Sequence, residues 1–270
     1  MSIYSVNSSM SLNAINSTSN TISKSMQKIA SGSQYNSAAD GASAYSILTR
    51  MYSNIGTLSQ SNENTQTMNA MMSTASGGVD STVTALSSLK DKLLQAANGT
   101  NNSSDIGALQ KEVDQTVSQI DENAGITFNN QGLLDGTKTL TVAGDNGYKN
   151  IALGDMSSQG LGLTDANGDS TLDLSTSKGV ASALDTVSAA LDTALSQSTN
   201  IGSVQQGLSY SSSNYISQTE NLTNAASGMG DTDIAAEVTK LKSSQTVQAF
   251  ALYAAKLNMH DNMGVLALLR

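Results

Sequence analysis

Leu12-Asn-Ala-Ile-Asn-Ser-Thr-Ser-Asn-Thr-Ile-Ser-Lys-Ser-Met-Gln-Lys-Ile29 decides the fold class of this chain. Leu12, Ile15, Ile22, Met26 and Ile29 recur at helical spacing, with Ser19 in the remaining place of the stripe. At the other end Val247, Phe250, Ala254 and Leu257 repeat the pattern, and the chain closes on Val265, Leu266, Leu268 and Leu269 before Arg270. Termini are usually polar and frayed. Here they carry the strongest apolar patterning and the middle is the most polar part. Stripes of this kind need a partner, so the spacing predicts a chain built to assemble through both ends.

Composition narrows the class. The 270 residues include no Pro, no Cys, no Trp and two Phe. Average usage would give about 5% Pro; its absence fits long helices that proline would kink. With no cysteine there are no disulfides, which leaves the compartment open. The net charge is -9 and the 13 basic residues are scattered. Nucleic-acid binding needs a clustered basic face, and a polybasic membrane anchor needs the same, so neither partner is expected. No stretch approaches the ~20 apolar residues of a membrane span. Residues 1–23 carry no charge and lack the basic start and compact apolar run of a secretory signal.

Along the chain, residues 5–32 read as an amphipathic helix capped at Ser31-Gly32. A polar connector runs from Ser33 to Gly41. A long helix is then expected from about Ala42 to Asn98-Gly99 on Ile47, Met51, Ile55, Leu58, Met68, Met72, Val79, Val83, Leu86, Leu89, Leu93 and Leu94, with Gly77-Gly78 as a loosening point. Unbroken, it would span about 85 Å at ~1.5 Å per residue. Residues 101–105 form a turn and cap, and Ile106, Leu109, Val113, Val117 and Ile120 mark a third helix.

Past Gly125 the period changes. Leu140–Ala143, Gly144-Asp-Asn-Gly147 and Tyr148–Leu153 predict a hairpin. Residues 154–178, rich in Gly, Asp and Ser, read as a loop or a surface excursion. Helical period returns with Val180, Leu184, Val187, Leu191 and Leu195, pauses near Gly202, resumes with Val204, Leu208, Tyr215 and Leu222, and breaks at Gly228-Met-Gly230. A last helix is expected from Asp231, as N-cap, to near Asp261. The fold class is therefore mainly α: a long rod-like helical bundle or coiled coil with a small β-hairpin, the N- and C-terminal helices paired at one end and residues 130–178 at the other.

Four separate stretches resemble bacterial flagellin. They are Lys28-Ile-Ala-Ser-Gly-Ser-Gln-Tyr-Asn-Ser-Ala-Ala-Asp-Gly-Ala42, Phe128-Asn-Asn-Gln-Gly-Leu-Leu-Asp-Gly136, Asp231-Thr-Asp-Ile-Ala-Ala-Glu-Val-Thr-Lys-Leu241 and Gly264-Val-Leu-Ala-Leu-Leu-Arg270. At this length the chain is similar to a minimal flagellin without large outer variable domains. The resemblance implies a structural subunit, not an enzyme and without a cofactor. It would polymerise into the extracellular bacterial flagellar filament for motility, after export unfolded through the flagellar type III apparatus. The implied organisation is an inner-tube helix over 1–40, outer-tube rod helices over 41–130, a hairpin and surface loop over 131–178, a returning rod helix over 179–228, and an inner-tube helix over 229–270. Implied partners are further copies of the chain, a secretion chaperone, and the filament cap and hook-junction proteins. The hairpin region of such proteins takes part in switching between filament supercoil forms. Two rival readings are a hook–filament junction protein and an extracellular enzyme or binding protein on the same frame. Family members often carry Arg where this chain has Gly228-Met-Gly230, which leaves the stiffness of the hinge open, and His260-Asp-Asn-Met263 also departs from the family pattern.

The expected self-assembly residues are Leu12, Ile15, Ile22, Met26, Ile29, Val247, Phe250, Ala254, Leu257, Val265, Leu266, Leu268 and Leu269. The resemblance also places the epitope of the host flagellin-sensing Toll-like receptor over residues 87–98. Ser88 stands where the activating proteins carry arginine and Lys92 where they carry leucine, while Lys90, Asp91, Gln95, Asn98 and Glu112 keep its character. Weak recognition is expected, with filament packing as the plainer role. His260 is the single histidine, which argues against a catalytic triad or two-histidine zinc site. Asp165, Asn167, Asp169, Thr171 and Asp173 imitate half a calcium loop, but Ser170 replaces the turn glycine and Thr176 the bidentate Glu. A polar turn is the expectation. Met68, Met71 and Met72 are expected to fill core gaps, and the hydroxyls of Ser157–Ser177 are open to O-linked glycans.

Overall fold

The computed structural model describes residues 2–137, 139–145 and 147–268, with side-chain surroundings for 9–257, 259 and 260 among them. Among the described residues, five helices and four short strands follow in the order α1 (Ser2–Ser31), α2 (Ala38–Ala96), α3 (Ser103–Ala124), β1 (Thr127–Phe128), β2 (Gln131–Gly132), β3 (Thr139–Gly144), β4 (Gly147–Ala152), α4 (Ser177–Gly230) and α5 (Ile234–Leu268). They form two compact units, Met1–Ile55 with Glu220–Arg270, and Gly56–Thr219.

In the first unit α1 packs against α5. α1 ends where the sequence places its stop: Gly32 has φ +70 and its N–H donates to the Lys28 carbonyl at 2.9 Å. The connector then meets the residues between α4 and α5. Ser33 bridges Asp231, Gln34 N–H donates to the Gly230 carbonyl at 2.7 Å, and Thr232 N–H donates to the Gly32 carbonyl at 2.8 Å. Gly41 is non-helical, so the uninterrupted run of α2 begins at Ala42, as expected. A Cβ on Gly41 would sit 2.8 Å from the Tyr35 ring. At the end of α4, a Cβ on Gly230 would meet the buried Leu48 at 3.0 Å. That glycine ends a helix at a close approach. Asp231 is not the N-cap of α5. Asp233 is: its carboxylate accepts from Ala236 N–H at 3.0 Å, and α5 runs on to Leu268.

The second unit holds the main core. Met68, Met72, Val79, Leu86, Leu89 and Leu93 of α2 bury against Leu109, Val113, Val117 and Ile120 of α3 and Val180, Val187, Ile201 and Leu208 of α4. The methionines fill core space, as expected. α3 starts with a full capping box, Asn102 with Asp105. Neither Gly77-Gly78 nor Gly202 interrupts its helix. Gly78 is there for room: a Cβ would lie 2.8 Å from Leu134 and 2.9 Å from Ile126. Tertiary burial overrides the local weakness of glycine, ~1 kcal/mol against alanine.

β3 and β4 pair antiparallel with Leu140 opposite Ile151 and Gly144 opposite Gly147. Leu140, Val142 and Ile151 turn into the core, while Thr141 donates its hydroxyl to Asn150 across the outer face at 2.9 Å. A second hairpin, β1–β2, turns on Asn129 and Asn130 at φ +47 and +62, the two positive dihedrals of a type I′ turn.

Residues 154–176 form a loop, as one of the two readings has it, but not a surface excursion. Met156, Leu161, Leu163, Leu172 and Leu174 are all buried in the core. Ser158 donates through N–H and hydroxyl to the Asp121 carboxylate at 2.7 and 2.9 Å. Gln110 accepts from Leu174 N–H at 3.1 Å and donates to the Leu172 carbonyl at 2.9 Å, closing the segment onto α3 like a missing strand.

Candidate functional site

The α1–α5 pair shows two distinct faces. Half-buried positions on α1 include Ser11, Ile15, Thr18, Ile22 and Ile29, with Ser25 fully buried, a 3/4 spacing that turns one face toward its partner. On α5 the matching positions are Glu237, Val238, Leu241, Ser244, Gln248, Ala251 and Ala255. This seam is thin and made largely of small or polar side chains. Ser25 ties the two helices directly: its hydroxyl donates to Glu237 Oε1 at 2.6 Å. That bond holds the Glu237 carboxyl below its ordinary range against the opposing effect of burial, with further help from Lys240 and Lys28.

Further large apolar side chains lie outside the seam. Leu12 and Met26 are 55% exposed, Phe250 70%, and Val247 and Leu257 are about half exposed, with Ala254 beside them. Of the expected assembly residues, therefore, Ile15, Ile22 and Ile29 line the seam, and Leu12, Met26, Val247, Phe250, Ala254 and Leu257 face out. The side chains of Val265, Leu266, Leu268 and Leu269 lie outside the described residues. The sequence reading put one stripe on each helix. The structure shows two, because Phe250 and Ala251 stand about 100° apart on the helix. Thr18 and Ser25 take the seam places, and Ser19 is exposed. Tyr253 extends the outer face and was missed; Met10, Leu252 and Met259 are exposed as well, on other sides of their helices. The signal for Tyr253 was its i+3 spacing from Phe250.

A pH effect follows from the seam. A carboxyl depressed in the folded state contributes stability above its ordinary value of 4.5, and that contribution is lost as pH falls through the lower folded value. Ser25→Ala should return the Glu237 titration midpoint upward toward 4.5, read by carboxyl-selective NMR. An unmoved midpoint would remove the Ser25 hydroxyl as the cause.

The other candidate positions fall in the second unit. Ser88, Gln95, Asn98 and Glu112 are exposed. Lys92 is partly covered and its Nζ lies 2.5 Å from Glu112 Oε2, tying α2 to α3. Ser88 and Lys92 share a groove with Thr84, Thr116, Gln119 and Asn123. Asp165 spends its carboxylate on its own turn, accepting from Asn167 N–H at 2.8 Å and Asp169 N–H at 3.0 Å, which lowers its pKa. Asp173 accepts from Ser175 N–H. Among the described residues no group of three acidic, cysteine or histidine side chains is placed to hold a metal. His260 is exposed on α5. Among the described residues no helix is long and apolar enough to cross a membrane.

Comparison with known proteins gives the lineage. The bacterial flagellin N-terminal helical region matches residues 4–139, and the bacterial flagellin C-terminal helical region matches residues 184–269. The chain belongs to the flagellin family. It is 29% identical to a flagellin of Bacillus subtilis, with 96% of each chain covered. It is 31% identical to a flagellin of Salmonella paratyphi A over 77% of this chain and 44% of that one. A chain of the flagellar hook-associated class from Vibrio parahaemolyticus shares the fold, with a TM-score of 0.57 at 18% identity, over 71% of this chain and all of that one. This member is thus a short flagellin, close in extent to the Bacillus protein and much shorter than the Salmonella one. The family's N-terminal region spans α1, α2, α3 and the start of β3, and its C-terminal region spans most of α4 and all of α5.

Proposed function

We propose that the chain is the structural subunit of an extracellular flagellar filament, and that the outer apolar face of α1 and α5 is its polymerisation surface. The family supports the first part. The observation that carries the second is the exposed row Leu12, Met26, Val247, Phe250 and Leu257 beside a seam too thin to hold two long helices strongly. Each such side chain yields ~1.5–3 kcal/mol when a neighbouring copy buries it. α1 and α5 gain most of their burial from neighbours and form the inner layer, while the second unit, with its own core, forms the outer one. Export unfolded through the type III apparatus suits a chain with no disulfide to reduce and no proline to isomerise. A secretion chaperone, the filament cap and the hook-junction proteins are the further partners. A junction protein would share these surfaces; abundance separates the two, since a filament subunit is made in large excess. The test is seeded polymerisation followed by electron microscopy. Long helical filaments are expected. Protein that stays monomeric on seeds at high concentration overturns the reading.

The hairpin β3–β4 would tune filament shape. Gly147 sits at φ +113, which a β-branched residue adopts only with strain of order 1–3 kcal/mol. Gly147→Val should change filament curvature while leaving export intact; unaltered waveform by microscopy would remove this role.

Recognition by the flagellin-sensing receptor would be weak. Ser88 offers no guanidinium for forked hydrogen bonds, and Lys92 is already engaged by Glu112. Losing a hot-spot contact costs at least ~2 kcal/mol, about thirtyfold in affinity. The double change Ser88→Arg and Lys92→Leu should raise signalling in a receptor reporter assay by about that factor. Equal signalling by wild type would leave the surface to packing alone.

A further inference from the structure

We propose that Asn98 is a site of spontaneous deamidation and isoaspartate formation, and that the fold protects the like pair Asn167-Gly168 from it. The sequence holds three Asn-Gly steps, at 98, 146 and 167. Asn146 lies outside the described residues. The other two sit in opposite environments.

Asn98 and Gly99 are both exposed in the turn between α2 and α3. Among the described residues neither the Asn98 side-chain amide nor the Gly99 N–H has a hydrogen-bond partner, and nothing lies within 4 Å of where a Gly99 Cβ would be. The glycine nitrogen is free to reach Cγ, and the missing side chain opens the backbone angles this needs. The step is an intramolecular acyl transfer. The Gly99 nitrogen gives up its proton and attacks Cγ of Asn98, forming the C–N bond of a succinimide. The Cγ–Nδ2 bond breaks, and nitrogen leaves as ammonia carrying that proton. Water then opens the ring at one of its two carbonyls, giving aspartate or isoaspartate. No electrons are exchanged with another reagent.

At the second pair both reacting groups are held. Gly168 N–H donates to the Asp165 carbonyl at 3.1 Å. Asn167 donates through Nδ2 to Asp165 Oδ2 at 3.2 Å and through its backbone N–H to Asp165 Oδ1 at 2.8 Å. Gly168 is also fixed at φ +88. The turn must open before the attack can begin.

The change at Asn98 has a structural consequence. A new carboxylate appears just beyond the C-terminus of α2, where the helix dipole disfavours negative charge. Isoaspartate also lengthens the main chain inside the turn that Asn101 N–H closes on the Asn98 carbonyl at 3.3 Å.

The test uses the full native chain held in warm, mildly alkaline buffer. Cleavage after lysine places Asn98 in peptide 93–111, Asn146 in 139–149 and Asn167 in 150–178. Mass spectrometry follows conversion in each, and an isoaspartyl methyltransferase assay identifies the product. Peptide 93–111 should convert faster than 150–178 by a factor of the order of ten, the effect of holding one or two hydrogen bonds closed. In denaturing urea the two rates should draw together. Equal native rates, a faster 150–178, no conversion of 93–111, or a ratio that survives in urea would each overturn the proposal.

Discussion

Phe250→Asp should abolish polymerisation while leaving the second unit folded. Phe250 is 70% exposed on α5, next to Val247 and Tyr253 on the outer face. In a polymer each copy would lose ~1.5–3 kcal/mol of burial from the ring. The carboxylate adds a desolvation penalty wherever a neighbour covers it. Together these raise the critical concentration by at least about a hundredfold. Nothing in the seam changes, because Phe250 points away from Ser244, Gln248 and Ala251. Thermal unfolding of the Gly56–Thr219 core should shift by less than ~0.5 kcal/mol. Phe250→Leu should polymerise with a smaller penalty. Sedimentation after seeding reads the outcome. A Phe250→Asp chain that pellets as filament at the wild-type concentration would place the assembly surface elsewhere.

The second large effect is expected at Leu163. It lies in a stretch whose composition reads as a solvated loop, yet it is fully buried in the same core as Leu86, Ile120 and Val187. Leu163→Ala removes a packed side chain and leaves a cavity, costing ~2–5 kcal/mol. For a domain of this size that lowers the melting temperature by roughly 5–15 °C. Ala166→Ser, three residues on and exposed, should be neutral. Calorimetry or far-UV melting of both variants decides it. Equal melting temperatures would mean that residues 154–178 do not contribute to the core.

These two sites also mark where sequence reading succeeded and where it ran short. The periodicity of Leu109, Val113, Val117 and Ile120 located α3 because its buried face is almost purely aliphatic. The Gly32 stop and the β3–β4 hairpin were legible because each needs a specific backbone conformation that few residues supply. Leu163 was hidden because its buried leucines come singly, spaced by polar turn residues, with no period to detect. Their fixing groups, Asp121 and Gln110, lie far off in sequence. The Asn129-Asn130 turn was missed because two asparagines joined strands of only two residues each. Gly77-Gly78 read as a loosening point and Gly202 as a pause, but tertiary contact fixes those helices more strongly than propensity loosens them. On α1 and α5 the periodicity named one stripe of expected assembly residues and could not resolve it into an inner seam and an outer face. Ser25, Ala251 and Ala255 are too small or polar to register as a packing face, and only their burial reveals it.

The central claim is that α1 and α5 are completed by other copies of the chain. Hydrogen exchange on the monomer and on the seeded polymer tests it most directly. The amides of residues 9–31 and 234–257 should exchange readily in the monomer and become strongly protected in the polymer, while the buried core around Leu86, Ile120 and Val187 stays protected in both. Equal protection of the two terminal helices in monomer and polymer would contradict the account.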